Sequence, residues 1–179
     1  MIQLSSLTRD DFGKILEWNS GKSADDLLQW AGPQYIFPLT HNQLEDYFSK
    51  SVNETSSVFI YKIVSVEKHE VIGTIELREK DKHNKIGRIC RFLIGDETSR
   101  NQGLGKQVLT EILKIGFEDL LFSQITLGVF DFNVHAIHCY ENTGFTKETF
   151  SKNAVKSSTG YWNLYEMAIS KEHWQKLKR

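Results

Sequence analysis

The sequence is short of several things, and each shortage removes a class of protein. It holds two cysteines in 179 residues, Cys90 and Cys139, far apart and in no CxxC or Cys/His ligand spacing. Neither a disulfide scaffold nor a metal site is therefore expected, and both thiols are expected to be reduced core groups. It holds two prolines, Pro33 and Pro38, both inside "WAGPQYIFPLT", and elsewhere there is no repeat, low-complexity tract or linker. An excess of charge is also missing: 22 Lys and Arg against 23 Asp and Glu leave a net charge of −1. Bulk electrostatics then give no reason to expect nucleic acid or an anionic membrane as partner. No apolar run approaches the length of a bilayer, and the start "MIQLSSLTRDDF" lacks a basic region followed by an apolar one. A cytoplasmic protein is expected.

What is present is enough apolar material for a core. With 40% hydrophobic and 25% charged residues, the chain has the size and balance of one domain spanning 1–179. Thr8 precedes "RDDFGKILEW", where Phe12, Ile15, Leu16 and Trp18 recur at helical spacing. Thr40 with Gln43 forms a capping box ahead of Leu44, Tyr47 and Phe48. Between these two helices lies the stiff proline segment, and before them a strand at Ile2–Leu4. "SVFIYKIVSV", "VIGTIELR" and "IGRICRFLIG" read as strands, being β-branched or alternating. From Leu104 the positions Val108, Leu109, Ile112, Leu113 and Phe117 fit a helix. "QITLGVF" is a strand, Asn133 to Thr143 a helix stopped by Gly144, and "YWNLYEMAI" a final strand. The order is helices, a run of strands, then β-α-β-α-β-β, a mixed α+β class.

The stretch "SRNQGLGKQ" places Gly103 and Gly105 at the mouth of a helix, where bare N–H groups and the helix dipole favour phosphate. A Walker A loop would need Ser or Thr where Gln107 stands and glycine where Arg100 stands. A dinucleotide fingerprint would need a third glycine where Val108 stands. The pattern that fits is [Q/R]-x-x-G-x-[G/A], satisfied by Arg100, Gly103 and Gly105 at a strand-to-helix junction. About 30 residues on comes "NVHAIHCYENTGF". The two stretches together resemble the two signatures of the GCN5-related N-acetyltransferase (GNAT) family, and they cover Ile86 to Phe145. The spacing in "LIGDETSRNQGLG" is closest to the RimJ/RimL and spermidine acetyltransferase-like branches.

The resemblance implies a central, mostly antiparallel, twisted sheet of about six to seven strands flanked by about four helices. It implies acetyl-coenzyme A as co-substrate and direct transfer of the acetyl group to a primary amine of a small molecule or a peptide N-terminus. An alternative is a catalytically weak module that binds or senses coenzyme A, and a homodimer stays open. The pyrophosphate would lie on the N–H groups of Gln102, Gly103, Leu104, Gly105 and Lys106, since glycines allow close backbone approach. Arg100 either adds a charge-assisted phosphate contact or is a solvated arginine. The pantetheine arm would pair with the strand edge at Phe92, Leu93 and Ile94. Asn133 resembles the family residue on the other side of that arm, and it also suits a helix N-cap.

Tyr140 stands at the family's proton donor to the departing thiolate, although an isolated tyrosine there would read as a core aromatic. His135 and His138 flank the motif positions and are taken as structural or surface groups. Histone-type relatives place a glutamate on the strand where this chain has only Arg88 and Arg91. Glu76, on the polar side of the preceding strand, is the substitute general base, with a solvated strand glutamate as the plainer reading. Trp30, Tyr35 and Phe37 would wall the acceptor pocket, favouring a small-molecule or peptide α-amine with apolar or flat neighbours over spermidine; a loop packed only against its own helices is the plainer reading.

Overall fold

In the computed structural model, residues 1–53, 55–100 and 102–178 are described; Asn101, inside the glycine stretch, lies outside them. The chain forms two compact units, Met1–Glu76 with Cys90–Leu104 and Leu77–Ile89 with Gly105–Arg179. The strands β1 (Ile2–Ser6), β2 (Val58–Ser65), β3 (Glu70–Asp81), β4 (Ile86–Ile94), β5 (Gln124–Phe130), β6 (Thr146–Ser157) and β7 (Gly160–Ser170) form a seven-stranded sheet. Its order is β1-β2-β3-β4-β5-β7-β6. The β1–β2, β5–β7 and β6–β7 ladders are antiparallel and β4–β5 is parallel. The mostly antiparallel sheet that the resemblance implied is present.

In the first unit three helices follow β1: α1 (Phe12–Asn19), α2 (Ala24–Ala31) and α3 (His41–Ser51). Leu7, Phe12, Ile15, Leu44 and Phe48 bury against one another, with Trp18, Trp30, Tyr35 and Ile60 packed around them. Burying each such side chain contributes about 1.5–3 kcal/mol, and this is what holds helices of only two or three turns. The Thr8 signal opens a short 3₁₀ turn, Arg9–Asp11, in which Asp11 Oδ2 accepts from Thr8 N at 2.8 Å; α1 follows it. The Thr40 signal opens α3, but the capping box is only half made. Thr40 accepts from Gln43 N, whereas the Gln43 amide turns to the preceding loop, donating to Ile36 O and Pro38 O and accepting from Ile36 N.

Helix α2 is absent from the sequence reading. Its capping box, Ser23 with Asp26, uses aspartate where glutamate or glutamine is usual, and its apolar positions Ala24, Leu27, Leu28 and Ala31, although at helical spacing, extend over only two turns. In the second unit α4 (Leu104–Lys114) is continued by a π-type turn, Ile115–Asp119, and carries Val108, Leu109, Ile112, Leu113 and Phe117 fully buried. Helix α5 (Val134–Glu141) ends before Gly144, which adopts φ +105° as a C-terminal stop must. Helix α6 (Lys171–Leu177), also unforeseen, buries Trp174 with its ring centroid 5.1 Å from that of Phe117. Six α-helices thus stand among the described residues where about four were expected. The order β-α-β-α-β-β counts β6 without giving it bounds: the strand is almost wholly exposed and polar, so it lacks the alternation that marks one. No helix among the described residues is long and apolar enough to cross a membrane.

Candidate active site

The loop between β4 and α4 is built by side chains that tie it down before the glycines begin. Lys68 Nζ donates to Asp96 Oδ2 at 2.9 Å, Thr98 Oγ1 at 2.8 Å and Ser99 Oγ at 3.0 Å. Ser99 donates to Asp96 in turn, and Asp96 caps the 3₁₀ turn Glu97–Ser99. The Ser99 hydroxyl, with Lys68 and Thr98 alongside, holds the Asp96 carboxyl well below the usual carboxylate range. Lys22 Nζ reaches Glu97 at 2.6 Å. Arg100, a candidate phosphate ligand, turns Nε back onto Ile94 O at 3.0 Å and lies 3.7 Å from Glu97, so it staples the loop to the strand that precedes it. Gln102 likewise donates to Thr98 O at 2.7 Å.

The two glycines do different work. Gly103 is exposed, has φ +72°, and a Cβ there would meet nothing within 4 Å, so the space above it is open. Gly105 has an ordinary φ, and a Cβ there would come within 3.1 Å of Cys139 Sγ on α5. Its first constraint is therefore packing. Lys106 is exposed. Upstream, the β4–β5 ladder covers only Ile86–Arg88 against Gln124–Thr126, so β5 makes no use of the backbone groups of Phe92, Leu93 and Ile94. Open space beside the mouth of α4 and backbone groups on β4 that β5 does not take are what an extended pyrophosphate-bearing coenzyme needs.

Glu76 is not the solvated strand glutamate of the plainer reading. It is 1% exposed. Arg91 grips it with Nε on Oε2 and Nη2 on Oε1, both at 2.9 Å, while the Tyr47 hydroxyl donates to Oε2 at 2.7 Å. Arg91 Nη2 also donates to the Tyr47 oxygen, and its guanidinium lies 4.5 Å from the Tyr47 ring centroid. The donors within reach of this carboxylate are thus groups of the chain itself, two from the Arg91 guanidinium and one from the Tyr47 phenol. Burial works to lower the Arg91 guanidinium, and Glu76 and Tyr47 outweigh it, so that it sits above its ordinary value. Tyr47 and Arg91 escaped the sequence reading. The available signal was a strand with two arginines and no acid: Arg88 finds Glu166, at 2.6 and 2.9 Å, and Arg91 finds Glu76.

The three aromatic residues expected to share one wall do not do so. Trp30 and Tyr35 line a small cavity of about 20 Å³ with Tyr47, Glu76 and Arg91. Their ring centroids are 6.3 Å apart, Tyr35 meets Tyr47 edge-on at 5.7 Å, and Trp30 Nε1 donates to Asn19 Oδ1 at 3.0 Å. That volume holds about one water. Burial pushes the Tyr35 phenol up, Arg91 working against it. Phe37 points elsewhere, into a separate groove of about 280 Å³ lined by Asn19, Lys22, Leu27, Pro38 and Leu39. The reason is Gln43, whose three hydrogen bonds hold Ile36 to Pro38 against α3.

On α5, Asn133 is the N-cap, accepting from Ala136 N at 3.3 Å. Tyr140 is 8% exposed and packs edge-on against Phe145 at 6.0 Å. Its hydroxyl has no hydrogen-bond partner among the described residues, and burial pushes the phenol up. His135 and His138 are exposed. Among the described residues no cluster of His, Cys, Asp and Glu could hold a metal ion.

Residues 24–145 match the Acetyltransferase (GNAT) family. The chain belongs to that family. It is an N-acetyltransferase, and its co-substrate is acetyl-coenzyme A. An SPbeta prophage-derived uncharacterized N-acetyltransferase of Bacillus subtilis is 21% identical over 154 residues, 86% of this chain and 84% of that one. The spermine/spermidine N(1)-acetyltransferase of the same organism is 39% identical over 69 residues, 37% of this acetyltransferase and 45% of its own length. A crystal structure of spermidine N-acetyltransferase from Vibrio cholerae with CoA and spermine superposes with a TM-score of 0.84. Its identity is 20%, and 97% of this chain and 98% of that one are covered.

Proposed function

We propose that this acetyltransferase moves an acetyl group from acetyl-coenzyme A to the primary amine of a small molecule, with Tyr140 as the proton donor. The observation that carries the coenzyme half is the loop: open space over a left-handed Gly103 at the mouth of α4, with the loop before it clamped by Lys68 and Arg100. The pyrophosphate lies on the N–H groups from Gln102 to Lys106, and the amide-rich arm pairs with Phe92–Ile94. The amine nitrogen attacks the thioester carbonyl carbon, the C–S bond breaks, and the sulfur takes the Tyr140 proton as it leaves. A hydroxyl with no partner of its own and a raised pKa is protonated at neutral pH and available for this. The ammonium proton goes to water before the attack, Glu76 already accepting from Arg91 and Tyr47, and the proton that the nitrogen sheds after it restores the Tyr140 phenol by way of water.

For the acceptor, Asp11, Glu45 and Glu76 are each paired with a cation of the chain, Lys62, Arg9 and Arg91. They form no acidic groove, and this favours an amine with apolar neighbours over a polycation. The polyamine is the second reading, favoured by spermine in the superposed Vibrio cholerae structure. Assembly into a multimer is likewise a proposal, supported by the dodecameric form of the Vibrio cholerae enzyme. A thiol-release assay with acetyl-coenzyme A over monoamines, amino acids, aminoglycosides, N-terminal peptides and polyamines tests the whole. Turnover with a monoamine and none with spermine is expected. Turnover confined to polyamines replaces the first reading by the second, and thiol release without any acceptor overturns both.

A further inference from the structure

Arg91 adopts φ +47° in the middle of β4. The other left-handed residues apart from glycine lie in turns or loops, His69, Lys85 and Leu121, or are of a type that tolerates the conformation, Asn153. An arginine in a strand gains nothing intrinsic from this geometry, since its Cβ crowds the following carbonyl. Something must hold it there. The Glu76 carboxylate takes two donors from its side chain, and the Tyr47 oxygen takes a third. With side-chain exposures of 12% for Arg91 and 1% for Glu76, the pair is shielded from solvent and cannot exchange its partners for water cheaply. Tyr47 belongs to α3, whose buried face includes Leu44 and Phe48, so the latch is anchored in the core of its unit.

The residues directly after the kink are Phe92–Ile94, whose backbone the β5 ladder leaves unused. The glycine loop follows them in the chain. A coenzyme whose pyrophosphate lies on that loop and whose arm runs back along this edge brings its thioester end toward Arg91. We propose that Tyr47 and Glu76 are positioning residues, which lock Arg91 in its left-handed conformation so that β4 presents its edge to the acetylated end of the arm. The proposal rests on the coenzyme reading above. It gives the buried carboxylate a task other than proton transfer, and it makes acetyl recognition depend on a helix that carries no part of the phosphate loop.

Glycine adopts positive φ without strain, which separates the latch from the conformation it holds. The test compares Glu76→Gln/Arg91→Gly with Glu76→Gln/Arg91→Ala, both free of an unpaired buried charge, by calorimetry with acetyl-coenzyme A and with coenzyme A. The alanine pair should bind acetyl-coenzyme A about tenfold more weakly than the wild type, or about 1.4 kcal/mol, with its coenzyme A affinity little changed. The glycine pair should regain most of that loss although it is no more resistant to heat. Equal acetyl-coenzyme A affinity in the two pairs overturns the proposal. Should the alanine pair fail to fold, Tyr47→Phe removes only the phenolic oxygen from the latch. A loss of about threefold for acetyl-coenzyme A alone supports the proposal, and an unchanged affinity ratio between the two ligands overturns it. If the wild type binds neither ligand, the coenzyme reading itself has failed.

Discussion

Gly105 on α4 and Cys139 on α5 approach so closely that a Cβ on the glycine would lie 3.1 Å from the cysteine sulfur. A glycine of the phosphate signature is therefore also a packing residue, and a change there acts on two properties together. Burial pushes the Cys139 thiol up, with Lys106 opposing, which keeps the sulfur a packing atom instead of a nucleophile.

The two properties separate in a double-mutant cycle. Gly105→Ala alone gains about 0.5–1 kcal/mol of helix propensity and loses a comparable amount to the sulfur contact, so little net change in urea denaturation is expected. In a Cys139→Ala background the contact is gone, and the same substitution should stabilise. Gly105→Glu in that background should still weaken acetyl-coenzyme A by more than about tenfold, because it puts an anion where the pyrophosphate lies. Unchanged affinity there removes Gly105 from the phosphate site.

Tyr140→Phe deletes a hydroxyl that has no partner among the described residues, so thermal stability should stay within about 0.5 kcal/mol. Turnover should fall by about 10²–10⁴ if the phenol protonates the leaving sulfur. The raised phenol also sets a pH expectation: the group stays protonated through and beyond pH 10, its ordinary value. The alkaline limb of kcat assigned to Tyr140 should thus begin above pH 10. A limb below that value, or equal turnover in the two proteins, returns Tyr140 to the core.

Acid sensitivity should concentrate in the clamp on the glycine loop. The Asp96 carboxyl is depressed by Ser99, Lys68 and Thr98, so its contribution is present above the unfolded pKa, about 3.9, and lost as the pH falls through the folded value. Asp96→Asn should lower Tm most at neutral pH, with the difference from the wild type shrinking between about pH 5 and pH 2. Lys68→Met should loosen the same turn and weaken acetyl-coenzyme A without touching the phosphate-binding backbone. A Tm difference that does not vary with pH excludes the clamp as its source.

Trp30 and Phe37, close in sequence, should behave as unrelated residues. Trp30→Ala removes a ring packed on the first unit's core and the hydrogen bond to Asn19, at a cost of about 3 kcal/mol. Phe37→Ala, exposed in its own groove, should change stability by less than about 0.5 kcal/mol. With whichever amine is turned over, a raised acceptor KM for Phe37→Ala together with unchanged KM for Trp30→Ala would move the acceptor wall into that groove. Chemical denaturation and initial rates on the same preparations decide it.

Sequence alone determined the features whose physics is local. A Gly-x-Gly pair at a strand-to-helix junction, Asn133 as an N-cap, Gly144 as a helix stop and the apolar period of α4 each depend on residues a few positions apart. So does the pair of signatures from which the family was legible. Where a local signal was weak the reading thinned: α2, with an aspartate in its capping box, went unread, and β6, with no buried face to alternate, was counted in the element order without bounds. The rest was decided by contacts that no spacing encodes. Gln43 reads as a partner for Thr40 until the loop Ile36–Pro38 competes for its amide, and that competition sends Phe37 away from Trp30. Glu76 reads as a polar-face glutamate until Arg91, 15 residues on, and Tyr47, 29 residues back, close over it. A buried charge takes whichever partner the folded chain brings within about 3 Å, so the role of Glu76 was set by tertiary structure alone.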